Sequence, residues 1–325
     1  MTIKNNYSKL LELIKQSEFY LLTSHVDPDG DSIGSLIGLD NFLRSLGKQT
    51  VIFNEGRLPG KYKFLDPDKK IKFMPEPLPF DPQVVIVLEC PQLERIGFVG
   101  NLIDETMIPV NIDHHSKNAM FGKINIINES ACAVADILYD IIKAGGYEIT
   151  PDIAVPFYAA IASDTGRFKF PNTDARCFAT ASELVKAGAN PKLISDKIFS
   201  SFSAGTIRLL GDMLKRLELY DNGTICVLRL SLADLKRYDV DVEDTEGIID
   251  YSLVIEGVRV GILFKEYDSR IIKVGLRSQN GIDIARFARE KGGGGHPNAA
   301  GFTIGEPLND AVKRVVEEVS EYLHD

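Results

Sequence analysis

FYLLTSHVDPDGDSIGSLIGLDNFLRSL, residues 19–46, contains a strand-to-helix change that decides the fold. Phe19 to Leu22 is a short apolar run ending at Thr23-Ser24, which predicts a buried strand. Ser32 to Leu46 is small and apolar, stops at Gly47, and predicts a helix. The same alternation extends outward in both directions. Asn5 to Gln16 spaces Tyr7, Leu10, Leu11 and Ile14 as one helical face, and Thr50 to Phe53 reads as β. Val84 to Leu88 and Met107 to Ile112 are continuous apolar runs, as expected of strands covered on both faces. Ala131 to Ala144, Pro151 to Ala162 and Ala175 to Ala187 read as helices, and the proline- and charge-rich Leu58 to Pro82 as irregular. The expectation is an α/β fold, with an N-terminal, mostly parallel sheet and helices on both faces.

Pro191 to Leu219 is helical and charged, and reads as a connector. After Tyr220 the pattern changes. Strands are expected at Thr224 to Leu230, Val258 to Phe264 and Ile271 to Leu276, with helices at Ile282 to Arg289 and Asp310 to Leu323. The expected organisation is therefore a domain over 1–190, a helical linker over 191–219 and a smaller α/β domain over 220–325. A length of 325 residues suits two domains.

Composition narrows the function. With 44% hydrophobic and 26% charged residues the chain is neither disordered nor collagen-like. No apolar run reaches the ~18 residues needed to cross a bilayer. Met1 to Leu10 lacks the apolar core of a signal peptide, so the expectation is a cytoplasmic protein with no membrane partner. The net charge of −9 and the lack of a long basic run argue against long duplex DNA, while leaving small phosphorylated substrates open. Cys90, Cys132, Cys177 and Cys226 are scattered without C-x-x-C spacing, and are expected to be reduced, buried thiols.

Four polar clusters carry chemistry, each beside the end of a predicted core element. His25, Asp27, Asp29 and Asp31 lie within seven residues, where three carboxylates repel one another unless a cation balances them. A solvated turn with a helix N-cap at Asp29 or Asp31 is the alternative. Asp113-His114-His115 ends a second strand. One imidazole could bind metal while the other faces substrate, with Asp113 accepting a hydrogen bond from a ring. Glu89 follows Val84 to Leu88, and Asp164 ends a helix-like stretch. A mixed His and carboxylate set suits Mn²⁺ or Mg²⁺, with Zn²⁺, Fe²⁺ or Co²⁺ possible. Two such ions ~3.5–4 Å apart would clamp a phosphoryl group. Further along, Arg277-Ser278 could hold a phosphate. The run Gly292-Gly293-Gly294-Gly295-His296 offers backbone N–H groups to an anion, or else forms a flexible loop.

Taken in order, His25-x-x-x-Asp29-x-Asp31, Asp113-His114-His115 and Asp164 resemble the DHH phosphoesterase superfamily. Arg277-Ser278 and Gly292 to His296 resemble its accessory DHHA1 domain. The resemblance implies that His25 and Asp29 bind one metal, that Asp31, His114 and Asp164 bind the other, and that the residue after the Val84 to Leu88 strand bridges both. Relatives usually carry aspartate there; this chain has Glu89. By the same resemblance His115 contacts the scissile phosphate and protonates the leaving oxygen, with Asp113 alongside. Arg277, Ser278, Gly293, Gly294, Gly295 and His296 would bind substrate. Stand-alone two-domain members are nanoRNA hydrolases that also dephosphorylate adenosine 3′,5′-bisphosphate (pAp). The expectation is a hydrolase using two Mn²⁺ ions on short RNA oligonucleotides or small nucleotides, with a homodimer as an option the sequence leaves open. A cyclic di-AMP or pApA phosphodiesterase, or a non-catalytic nucleotide-binding protein, is the alternative.

Overall fold

The structure, a computed structural model, describes residues 3–268, 270–279 and 281–324. Its contacts divide the chain into two units, Met1–Ser201 and Phe202–Asp325. In chain order the first comprises α1 (Ile3–Gln16), β1 (Phe19–Thr23), α2 (Gly30–Ser45), β2 (Gln49–Phe53), β3 (Ile71–Lys72), β4 (Val84–Leu88), β5 (Ile108–Asp113), β6 (Ile124–Ile127), α3 (Val134–Ala144), α4 (Pro151–Asp164), α5 (Ala175–Lys186) and α6 (Pro191–Phe199). All strand pairings in this unit are parallel, in the order β3-β2-β1-β4-β5-β6. All five residues of β4 are buried, as its unbroken apolar run requires.

Side chains alternate across this sheet. Tyr20, Leu22, Val84, Ile86 and Leu88 join the large core under the α-helices. Leu21, Val85 and Val87 face the other way, against Ile96 and Val99 of a 3-10 segment, Leu93–Leu102. Both faces are thus covered by helix, α-helical on one side and 3-10 on the other. The expected irregular stretch 58–82 holds one 3-10 turn, Gly60–Leu65, and the two-residue β3. The short strand β6 was not expected from the sequence; four residues give too little alternation to distinguish it from a loop.

Helix α2 is buried almost all round, so its neighbour α4 must approach closely. A Cβ on Gly34 would lie 2.4 Å from the Pro156 carbonyl oxygen and 2.8 Å from Ala160 Cβ. Pro156 sits inside α4 and cannot donate to the Asp152 carbonyl; Asn41 Nδ2, from α2, donates to that oxygen at 2.7 Å. The α2–α4 contact therefore depends on one missing side chain and one replaced hydrogen bond. Gly34→Ala is expected to destabilise the first unit by about 1–3 kcal/mol through overpacking. Denaturant unfolding checks this, and an unchanged midpoint contradicts it.

The second unit comprises α7 (Ala204–Lys215), β7 (Glu218–Tyr220), β8 (Ile225–Leu230), α8 (Leu232–Tyr238), β9 (Val260–Glu266), β10 (Ile272–Ser278), α9 (Ile284–Glu290), β11 (Gly294–His296), β12 (Ala299–Ile304) and α10 (Leu308–His324). Its mixed sheet runs β11-β12-β10-β9-β8-β7, with β8 and β9 parallel and the other pairs antiparallel. One face packs on α9 and α10, the other on α7, α8 and the 3-10 turn Ile248–Leu253. The stretch 191–219 is shared between the units. Ile194 and Ile198 of α6 enter the first core, while Leu209 and Met213 of α7 enter another. The serine-rich 200–203 segment interrupts the helix, and Ser203 caps α7 by accepting from Thr206 N–H.

Candidate metal centre

The sheet order reverses direction between β1 and β4, and in open parallel sheets the crevice beyond the carboxyl ends at such a point is where ligands bind. His25 follows β1, Glu89 follows β4, and His114 and His115 follow β5. Asp29 is the N-cap of α2, accepting from Asp31 N–H at 3.0 Å and Ser32 N–H at 3.1 Å. The capping alternative is thus realised, and it does not remove Asp29 from the site. His25, Asp29 and Glu89 each offer a donor atom within 4.8 Å of the others. So do Glu89, His114 and Asp164. Asp27 is exposed, its N–H bonded to the Glu55 carbonyl at 3.0 Å.

Each histidine is oriented from behind. Nδ1 of His25 lies 2.8 Å from the Val26 carbonyl, and Nδ1 of His114 lies 3.0 Å from the Ala131 carbonyl. A carbonyl only accepts, so both rings carry their proton on Nδ1 and direct Nε2 inward. Nε2 of His25 is 3.8 Å from Glu89 Oε2; Nε2 of His114 is 3.8 Å from Asp164 Oδ2 and 4.0 Å from Asp31 Oδ2. This is how metal-ligating histidines are held.

The carboxylates are fixed as firmly. Asp31 accepts from Val134 N–H at 2.6 Å, Ala135 N–H at 3.3 Å and Ser35 Oγ at 2.9 Å. No side chain of α3's own N-cap residue, Ala133, caps that helix, so Asp31 does so from α2. Glu89 adopts a left-handed φ of 51°, and its Oε2 accepts from Ser32 Oγ at 2.5 Å. Asp113 accepts from His115 Nδ1 at 2.8 Å, from two backbone N–H groups, and from Asn118 Nδ2 at 2.6 Å. Asp113 therefore orients His115 rather than joining the donor cluster.

Electrostatics separates these roles. Burial pushes the Glu89 carboxyl well above its ordinary range, reinforced by the charges of Asp29, Asp31 and Asp164. Burial also raises Asp31, and raises Asp164 to about 7. Burial opposes the charged form of His114, but Asp164 and Asp31 outweigh it and raise its pKa; in His25 burial prevails and lowers it. Asp113 is held down to about 2, burial being outweighed by the hydrogen bonds of His115 and Asn118. Several buried acids that resist ionisation together, facing two imidazole Nε2 atoms, form a donor set that a divalent cation would satisfy.

A sign follows for the metal-free chain. Within the site, Asp31, Glu89, Asp164 and His114 all hold protons that the unfolded chain releases sooner; His25 opposes them, and the depressed Asp113 does so only up to the ordinary carboxylate range. The native state then binds more protons, so stability falls as pH rises from the ordinary carboxylate range through about 7. Thermal unfolding of chelator-treated protein is expected to show a lower midpoint at about pH 8 than at about pH 5, with Mn²⁺ restoring more at the higher pH. A metal-free midpoint that rises over this range contradicts the reading.

In the second unit Arg277 pairs with Asp250 at 3.3 Å. The Ser278 hydroxyl donates to the Ile282 carbonyl at 2.6 Å, so it holds its own loop. Gly294, Gly295 and His296 form strand β11 against β12 rather than a flexible loop. A Cβ on Gly295, at φ 138°, would lie 2.3 Å from the Ala299 carbonyl oxygen, so pairing itself demands a glycine there.

The sequence reading missed the supporting amides. Asn54, just after β2, accepts from Ser24 N–H at 2.8 Å and donates to the His25 carbonyl at 3.0 Å. Asn118 clamps Asp113, and Asn172 clamps Asp164. Asn54 had a legible signal, a polar residue where the strand beside β1 ends; the other two lie on turns that periodicity does not place.

Residues 20–161 match the DHH family N-terminal domain, and residues 222–325 the DHHA1 domain. The chain is 32% identical over 323 residues to a bifunctional oligoribonuclease and PAP phosphatase NrnA of Thermus thermophilus, covering 96% of this chain and 93% of that one. It is 27% identical to the Bacillus subtilis protein of the same description, covering 91% and 93%. The crystal structure of an exopolyphosphatase-related protein from Bacteroides fragilis superposes with a TM-score of 0.90 at 25% identity, over 99% of this chain and 98% of that one. Among the described residues, no helix is long and apolar enough to cross a membrane.

Proposed function

This chain belongs to the DHH phosphoesterase family, and on that premise we propose that it hydrolyses short oligoribonucleotides to mononucleotides and pAp to AMP with two divalent ions. The observation that carries the reading is the convergence of His25, Asp29, Glu89, His114 and Asp164, with Asp31 facing His114, beyond the carboxyl ends of β1, β4 and β5. His25 and Asp29 would hold one ion, Asp31, His114 and Asp164 the other, with Glu89 shared. Mn²⁺ is the ion we favour, since the donors are mixed oxygen and imidazole. Bound there, such ions lower the pKa of water and polarise the phosphoryl group.

The chain's own residues supply the rest. The ionised Asp113 only accepts, so His115 keeps a proton on Nδ1 and turns Nε2 away from it. A second proton carried on Nε2 is the one that passes to the leaving oxygen. We assign substrate contact to Arg277 and to the Gly293 to His296 edge. Ser278 would act there through its loop.

A panel of RNA di- to pentamers, pAp, pApA and cyclic di-AMP, incubated with Mn²⁺, tests the proposal. Mononucleotides from the short RNAs and AMP from pAp are expected. Selective turnover of cyclic di-AMP or pApA reassigns the substrate, and binding without hydrolysis across several metals points to a nucleotide sensor.

A further inference from the structure

We infer that Asn172, on the turn between α4 and α5, is a positioning residue that ties together the three groups assigned to one ion, Asp31, His114 and Asp164. Its Nδ2 lies 3.1 Å from Asp164 Oδ2, 3.2 Å from the Asp164 carbonyl oxygen and 3.0 Å from the Cys132 carbonyl oxygen. All three neighbours only accept. The amide orientation is therefore fixed, because the flipped form would set its oxygen against three oxygens.

The Cys132 contact widens the effect. Cys132 lies within the 131–135 segment, which holds the other two groups. The Ala131 carbonyl fixes the His114 ring, and the Val134 and Ala135 N–H groups fix the Asp31 carboxylate. One amide thus bridges the helix end that carries Asp164 and the segment that orients His114 and Asp31. Cys132 and Ala131 are buried, so the segment has no solvent to replace the lost donor. The inner end of the amide is equally closed: among the described residues Asn172 Oδ1 is buried without a hydrogen-bond partner. The amide of this half-buried residue therefore makes its protein hydrogen bonds through nitrogen alone.

The contrast with the other three donors is specific. His25 is oriented by the Val26 carbonyl and Asn54, Asp29 by the start of α2, and Glu89 by Ser32. None of these contacts passes through Asn172. Its loss should therefore weaken one ion site and leave the other in place.

The inference rests on the proposed metal assignment, and the test separates the two. Mn²⁺ titration of wild type and Asn172→Ala by calorimetry is read alongside the near-UV circular dichroism of the metal-free proteins. Wild type is expected to bind two ions. In Asn172→Ala one binding step weakens by about 10–100-fold, the range for removal of a group that orients a ligand, and the other is unchanged. In turnover the variant loses kcat at limiting Mn²⁺ and recovers it at high Mn²⁺, with KM for substrate unaltered. If Asn172→Ala does not fold, Asn172→Ser, which keeps one donor, carries the same comparison. A folded variant with both steps at wild-type affinity overturns the inference alone. A wild type that binds no Mn²⁺ overturns the metal assignment itself.

Discussion

Glu89→Gln is expected to stabilise the metal-free chain and, at the same time, to abolish turnover. Glu89 is buried, faces the charges of Asp29, Asp31 and Asp164, and resists ionisation. An amide of the same shape removes that conflict while its oxygen still accepts from Ser32 Oγ. On the proposed ligand set it also removes the charge shared by both ions. The loss in activity should exceed the roughly 10–100-fold that follows removal of a group merely orienting a ligand. Each ion site filled at 100 times its Kd should stabilise wild type by about 2.7 kcal/mol, and the variant should gain far less. Thermal unfolding with and without Mn²⁺ reads both effects. A variant less stable than wild type when metal-free, yet fully stabilised by Mn²⁺, contradicts this account of Glu89. Such opposition between stability and activity is usual where a site concentrates like charge.

His115→Ala should lower kcat by about 10²–10⁴-fold, the usual contribution of a positioned proton donor, and leave Mn²⁺ binding intact. The basis is geometric. Nδ1 of His115 is 2.8 Å from Asp113, whose carboxylate also receives two backbone N–H groups and Asn118. A ring so anchored is oriented for proton transfer through Nε2, and it makes an edge contact with the His114 ring at 5.3 Å between centroids. Asp113→Asn should fall in the same direction, because an amide can donate to Nδ1 and favour the wrong tautomer. The defect should shrink for substrates whose leaving group needs no proton, such as a nitrophenyl phosphodiester. An equal loss on both substrate types would assign His115 to binding rather than to proton transfer.

Much of the site was legible because it lies where the chain changes element. His25, Glu89 and the Asp113-His114-His115 triplet each follow a run of buried apolar residues, so their common edge could be read before the strand order was known. The distinction between Asp113 and the other acids was harder to read. It depends on Asn118 and on two backbone N–H groups, and neither periodicity nor composition registers these. The capping of α3 by Asp31 joins residues more than a hundred positions apart, and nothing local near Ala133 announces it. The strand within the glycine run was hidden for a related reason. Four glycines in sequence offer N–H groups to an anion or form a flexible loop, and neither reading announces that Gly295 serves the close backbone approach of β11 to β12. Helix α8 was not expected either, although the Ser231 and Asp234 capping box marks its start.

Side chains just beyond β1, β4 and β5, together with those at the start of α2 and the end of α4, are proposed to surround a pair of cations. Anomalous diffraction from crystals grown with Mn²⁺ measures this directly. The account predicts two peaks about 3.5–4 Å apart, one beside His25 and Asp29, one beside Asp31, His114 and Asp164, with Glu89 reaching both. No peak at this edge of the sheet, or ions bound only at exposed carboxylates elsewhere, would contradict it.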